Sequence, residues 1–168
     1  MLHSIVRRTR QNHALEHATL HLLARRHPRR KAAGLSYAGC FTLVTDLPPE
    51  EVYPLVDEAL RRLKGGESVL RIHPNCGTNL ITAALLVTAA AFASLRGWGR
   101  ARSSQARADL LARTLLAEMV ALTLAAPLGL LVQARLTTEA DLADLQVREM
   151  VSGRYGRVNL IHVRTERR

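Results

Sequence analysis

The chain has 168 residues, room for one modest domain with an added element and too few for two full-sized domains. Lys and Arg number 24 against 14 Asp and Glu, a formal charge of +10, while only 4% of residues are aromatic. That removes the stacking platforms of single-strand and RNA readers. With Cys40 and Cys76 as the two cysteines a disulfide framework is excluded.

No apolar core follows the N-terminal Arg cluster, so no cleavable signal peptide is expected. From about Thr9 to Arg26 the composition favours a helix, with a Leu/Ala stripe through Leu15, Ala18 and Leu22 and Pro28 as its stop. Gly34 to Val44 is β-prone with a glycine break. Pro48-Pro49-Glu50-Glu51 opens a helix that runs to Leu63 and ends at Gly65-Gly66. The segment SVLRI reads as a short strand leading into His73.

From Thr78 to Leu95 no residue is charged, and Arg96 and Trp98 follow in interfacial fashion. A second apolar stretch, Thr114 to Ala134, carries one acid, Glu118, and is closed by Arg135. Both have spanning length, and soluble helices normally alternate polar residues onto one face, which these hardly do. Small residues four apart (Ala84/Thr88, Ala89/Ala93, Ala90/Ser94) would let two helices approach closely in lipid. Beyond, Thr137-Thr138-Glu139 suggests a cap for a helix to about Met150, and VNLIHVRT alternates like a last strand.

The expected architecture is an α+β membrane protein: a small cytoplasmic sheet-and-helix layer plus a two-helix transmembrane hairpin. Its parts are an N-terminal region 1–77, a hairpin 78–134 with an Arg-rich linker 96–113, and a C-terminal helix and strand, 135–168, packing with the N-terminal region. The distribution of basic residues favours a multi-pass protein of the bacterial cytoplasmic membrane with both termini in the cytoplasm.

The chemistry-bearing signal is Asn12-His13-Ala14-Leu15-Glu16-His17. On a helix, His13 and His17 stand one turn apart and can offer imidazole nitrogens to one metal ion. Glu16, beside His17, can deprotonate a metal-bound water. His21 continues the face, but its backbone lies about 12 Å from that of His13, making it a neighbour or proton relay. A third ligand is needed. Glu118 is an ionisable group in an apolar stretch; His73 and Cys76 lie in IHPNCGTN, with Cys76 near a helix N-terminus that would lower a thiol pKa. The same segment also reads as a capping loop, with Gly77 turning the chain and Thr78 or Asn79 as cap.

His-x-x-Glu-His resembles the inverted zinc-peptidase motif of the inverzincins. That resemblance implies His13 and His17 as zinc ligands, Glu16 as general base and a downstream glutamate, matched in type by Glu118, as a further ligand. More broadly, NHALEHATLHLL, IHPNCGTNL and PLGLLVQARLTT resemble segments of a bacterial membrane-protein family known as a domain of unknown function. This implies that the three segments belong together, and makes Asn75, Gln133, Thr137 and Thr138 candidates for orienting ligands or substrate.

The leading expectation is a membrane-integrated Zn²⁺-dependent hydrolase, peptidase-like, acting on a membrane-associated peptide or protein. The alternatives are a non-catalytic membrane protein with a structural His/Cys metal site or a partner- or lipid-binding role, and a thiol hydrolase in which Cys76 is the nucleophile and His17 or His73 the base. The lipid bilayer is the expected environment, nucleic acid is not an expected partner, and a homo-oligomer stays open.

Overall fold

The computed structural model describes residues 2–167 and divides into two units: residues 1–73 with 134–168, and residues 74–133. In the first unit, helix α1 (Leu2–Arg26) precedes a hairpin of β1 (Ala32–Ser36) and β2 (Cys40–Thr45), then helix α2 (Pro49–Lys64) and a 3₁₀ turn at Ser68–Arg71. The chain re-enters this unit through the end of a π-helical turn (Gln133–Thr137), followed by β3 (Leu145–Tyr155) and β4 (Val158–Arg167).

Each element follows from a local cause. In α1, Ala14, Leu15, Ala18 and Leu22 recur at helical spacing and are buried. In α2, Pro49 at the start supplies a preset φ, Val52, Leu55, Val56, Ala59 and Leu63 form the buried stripe, and Gly66 at φ +95° lets the chain leave. Strands alternate: Phe41, Leu43 and Thr45 of β2 and Ile161, Val163 and Thr165 of β4 point inward, their neighbours outward. The antiparallel sheet has order β1-β2-β4-β3, so β2, early in sequence, pairs with the last strand, Phe41 opposite Val163 and Leu43 opposite Ile161. The two helices cover the inner face and close one core with it.

The second unit contains helix α3 (Gly77–Ser94), a 3₁₀ segment (Leu95–Arg100) and helix α4 (Ser104–Val132). The α3 and α4 helices pack on each other, α4 burying Thr114, Ala121, Ala125 and Gly129. Leu80, Leu85, Phe92, Leu115, Leu116 and Met119 are exposed. Gly77–Arg100 and Ser104–Thr137 are long and apolar enough to cross a membrane by length and composition.

A glycine decides the closeness of this packing. A Cβ at Gly129 would lie 3.0 Å from the Asn79 Cα, so the first turn of α3 rests directly on α4. Gln133, one turn further, donates Nε2–H to Asn79 Oδ1 at 2.7 Å, and Asn79 Nδ2–H reaches the Pro74 carbonyl at 2.6 Å.

Three expectations are corrected. SVLRI is a 3₁₀ turn, which turns Leu70 into the core at 2% exposure. The helix expected from Thr137 to about Met150 is absent: residues 138–144 are irregular and β3 begins at Leu145, where pairing with β4 and burial of Leu145 outweigh local helix preference. Within the Arg-rich linker 96–113, residues from Ser104 onward belong to α4, whose start Ser103 caps by accepting from the Ala106 N–H at 3.1 Å. Among the small-residue pairs of α3, Ala90/Ser94 is half-buried, whereas Ala84/Thr88 and Ala89/Ala93 are exposed.

Gly129→Val is expected to lower stability by about 1–3 kcal/mol through overpacking against Asn79, measured by unfolding in detergent micelles; Ala126→Val, on the same helix, serves as control.

Candidate functional site

Helix α1 carries an unusual load of buried polar side chains: Gln11, Asn12, Glu16, His17 and Thr19 are all below 5% exposure. Each has a stated partner. Gln11 Nε2–H donates to the Asp141 carbonyl at 2.9 Å and to Asp144 Oδ1 at 2.7 Å. Asn12 donates to the Tyr37 carbonyl at 2.7 Å and accepts from Thr165 Oγ1 at 2.6 Å, joining α1 to the β1–β2 turn and to β4.

The histidines are fixed by helix ends. The last carbonyls of any helix lack intrahelical partners, and here side chains supply the donors. At the π-helical turn, Arg71 donates to the Ala134 carbonyl (2.8 Å) and to Thr138 Oγ1 (3.0 Å), while Arg10 donates to the carbonyls of Arg135 (3.4 Å) and Thr138 (3.0 Å). His13 Nδ1 meets the Thr137 carbonyl at 3.0 Å. At the 3₁₀ turn and the residue after it, His17 Nδ1 meets the Arg71 carbonyl and His21 Nε2 the Ile72 carbonyl, each at 2.7 Å.

A carbonyl oxygen only accepts, so each of these ring nitrogens carries the proton. In the neutral rings of His13 and His17 the lone pair is therefore on Nε2, whereas in His21 it is on Nδ1. The His13 and His17 rings lie 4.2 Å apart between centroids, and a nitrogen of each lies within 4.8 Å of the other. His73 follows, 5.6 Å from His17 and 4.8 Å from His21 between centroids. Partial burial, with His21 and His17 alongside, lowers the His73 pKa from 6.5 to about 4, so this imidazole is neutral at physiological pH.

Glu16 lies toward the sheet. Its carboxylate accepts from Ser36 Oγ and rests on Gly34, where a Cβ would stand 2.6 Å from Glu16 Cγ and Cδ. Glycine at this position is what admits the carboxylate.

The remaining sequence candidates are spread over both units. Thr138 is fully buried and takes part in the Arg71 and Arg10 contacts; Thr137 contributes its carbonyl, with its Oγ1 buried and without a hydrogen-bond partner among the described residues. In the second unit, Cys76 is the N-cap of α3, its Sγ accepting from the Thr78 N–H at 3.4 Å, so the capping role falls to the thiol. Asn75 is exposed in the preceding turn, Gln133 is buried in the Asn79 contact, and Glu118 is half-buried on α4. Sequence reasoning did not single out Ser36, Gly34, Arg71 or the pairing of Asn79 with Gly129. Gly34 entered the sequence reading only as the first residue of the β-prone run, whose glycine break is Gly39.

A family model described as "Domain of unknown function (DUF6391)" matches residues 8–150. The chain belongs to this family. A relative, an uncharacterized protein of Picosynechococcus sp. strain PCC 7002, is 40% identical over 89 residues, 48% of this chain and 43% of the relative's length. The chain thus spans less than half of that relative. No solved structure matches.

Because the folded-state pKa of His73 lies below its unfolded value, the unfolded chain binds more protons between those values. Stability is expected to fall as pH drops from about 6.5 towards 4. Thermal unfolding across this window should show a shallower decline in His73→Gln than in the native chain.

Proposed function

We propose that this protein is a membrane-integrated, Zn²⁺-dependent hydrolase of peptidase type, with the metal held by His13 and His17. The observation that carries the reading is the shared orientation of those two rings. Both spend Nδ1–H on a backbone carbonyl and keep the Nε2 lone pair, the arrangement that orienting hydrogen bonds impose on metal-ligating histidines. Tetrahedral zinc at about 2.0–2.1 Å from each nitrogen needs them roughly 3.4 Å apart. One ring nitrogen of each histidine lies within 4.8 Å of the other's. His73, with its ring centroid 5.6 Å from that of His17, is the candidate for a third donor within the same unit. Cys76 and Glu118 enter as variants in the test.

A divalent cation held there supplies Lewis acidity towards water and a scissile carbonyl. Glu16 takes the proton of the attacking water and returns it to the leaving group, with Ser36 and Gly34 fixing its carboxylate. Arg71 and Arg10 hold the helix ends that aim the rings. The two apolar helices of the second unit span the cytoplasmic membrane as a hairpin with both termini in the cytoplasm, where a membrane-associated peptide reaches the site.

A second reading, a structural metal site without catalysis, is favoured by the depth of Glu16, 4% exposed against the sheet. The two readings separate on one set of variants. Metal analysis of protein purified in detergent is expected to give about one Zn per chain, lost in His13→Ala and in His17→Ala and retained in Glu16→Gln. Cleavage of a quenched-fluorescent peptide library should fall by two or more orders of magnitude in Glu16→Gln, in line with loss of a general base. Zinc retained with no cleavage in the native chain supports the structural reading, and absence of metal from every preparation removes both. Cobalt substitution identifies the remaining donor, since a thiolate–cobalt charge-transfer band that disappears in Cys76→Ser would assign the thiol in place of His73, and loss of metal in Glu118→Gln would assign that carboxylate.

A further inference from the structure

Strand β1 is the end of the sheet: its other neighbour is β2, and no strand pairs with its outer edge among the described residues. Which of its main-chain groups face that edge follows from one hydrogen bond. The Tyr37 N–H donates to the Cys40 carbonyl at 2.8 Å, so these two form a hydrogen-bonded pair. Antiparallel ladders alternate. Ala33 and Leu35 therefore bond across to Val44 and Thr42, while Ala32, Gly34 and Ser36 turn their N–H and C=O groups outward. The Thr165 N–H to Gly39 carbonyl bond, 2.9 Å, fixes the same alternation on the far side of β2.

The outward-facing residues are those against which Glu16 lies. Its carboxylate rests on Gly34 and accepts from Ser36. On the opposite face of the sheet the same strand borders a depression of about 260 Å³ lined by Ala33, Gly34, Leu35, Tyr37, Thr42 and Val44. Leu35, Tyr37 and Val44 are 58%, 52% and 38% exposed. An open edge, a carboxylate under its central residues and an apolar depression beside it therefore coincide on a five-residue strand.

We propose that β1 receives the substrate as an added strand: an extended peptide that pairs with the outward groups of Ala32, Gly34 and Ser36 and seats an apolar side chain in the depression beside Leu35 and Val44. Successive side chains of such a peptide alternate between the two faces, one set over the depression and the other towards Glu16. The substrate class is thus an unfolded or extended segment with an apolar residue at alternate positions, and a helical segment is refused until it unwinds. This inference rests on the hydrolase reading for its catalytic meaning, whereas the pairing itself requires no metal.

The test uses the full chain in detergent and a fluorescein-labelled decapeptide of alternating threonine and valine, followed by fluorescence anisotropy. Ala32→Pro removes an outward N–H without touching the ladder to β2, and Leu35→Glu places a charge in the depression at an exposed position where the fold is insensitive. Each is expected to weaken binding at least about tenfold, a shift of about 1.4 kcal/mol. A version of the peptide with proline at alternate positions should not bind. Native chain stripped of metal with a chelator should keep peptide affinity, which separates this proposal from the metal reading. Unchanged affinity in both edge variants, or no binding by metal-loaded native protein, overturns it. So does dissociation of a dimer in Ala32→Pro on sedimentation, because the edge is then occupied by a second copy.

Discussion

Two helix ends with unpaired carbonyls, and the imidazoles that satisfy them, organise the first unit. The turn Gln133–Thr137 and the turn Ser68–Arg71 each end in carbonyls that have no donor within their own helix. Buried without partners, such groups would cost about 1–3 kcal/mol apiece. Residues of α1 supply the donors: Arg10 and His13 to the first end, His17 and His21 at and just beyond the second. The solution to a backbone problem also settles the tautomers. Once Nδ1 of His13 and His17 donates to a carbonyl, the lone pair of each neutral ring is on Nε2.

The same economy extends to Glu16. A carboxylate at the helix–sheet interface is tolerated because Gly34 has no side chain and Ser36 donates a hydroxyl proton. Burying it there costs desolvation, which the Ser36 hydroxyl offsets by donating to the carboxylate. Arg71 links the layers of this arrangement. Its carbonyl orients His17 while its guanidinium holds the Ala134 carbonyl and Thr138.

Much of this was legible in the sequence where a pattern has a fixed period. The stripe of α1, the Pro-to-Gly limits of α2 and the alternation of β4 all reflect local geometry, and one turn of helix brought His13 and His17 together. The Ser68–Arg71 turn and β3 were not legible, because what decides them is distant: Leu70 must reach the core, and β3 exists through its pairing with β4. The carbonyl partners of the histidines were invisible for the same reason, lying about 50 and 120 residues away in sequence and carrying no side-chain signature. Gly129 and Asn79 show the intermediate case, in which each residue is conspicuous alone and their contact appears only when α3 and α4 pack.

The most direct test is the protonation of the two rings themselves. Long-range proton–nitrogen correlation of nitrogen-15-labelled histidine side chains, assigned with single His→Gln variants, reports which ring nitrogen bears hydrogen before and after one equivalent of zinc. The account predicts protonated Nδ1 and bare Nε2 in both His13 and His17, with both Nε2 resonances moving together on zinc addition. Protonated Nε2 in either ring, or Nε2 resonances that ignore zinc, would contradict it.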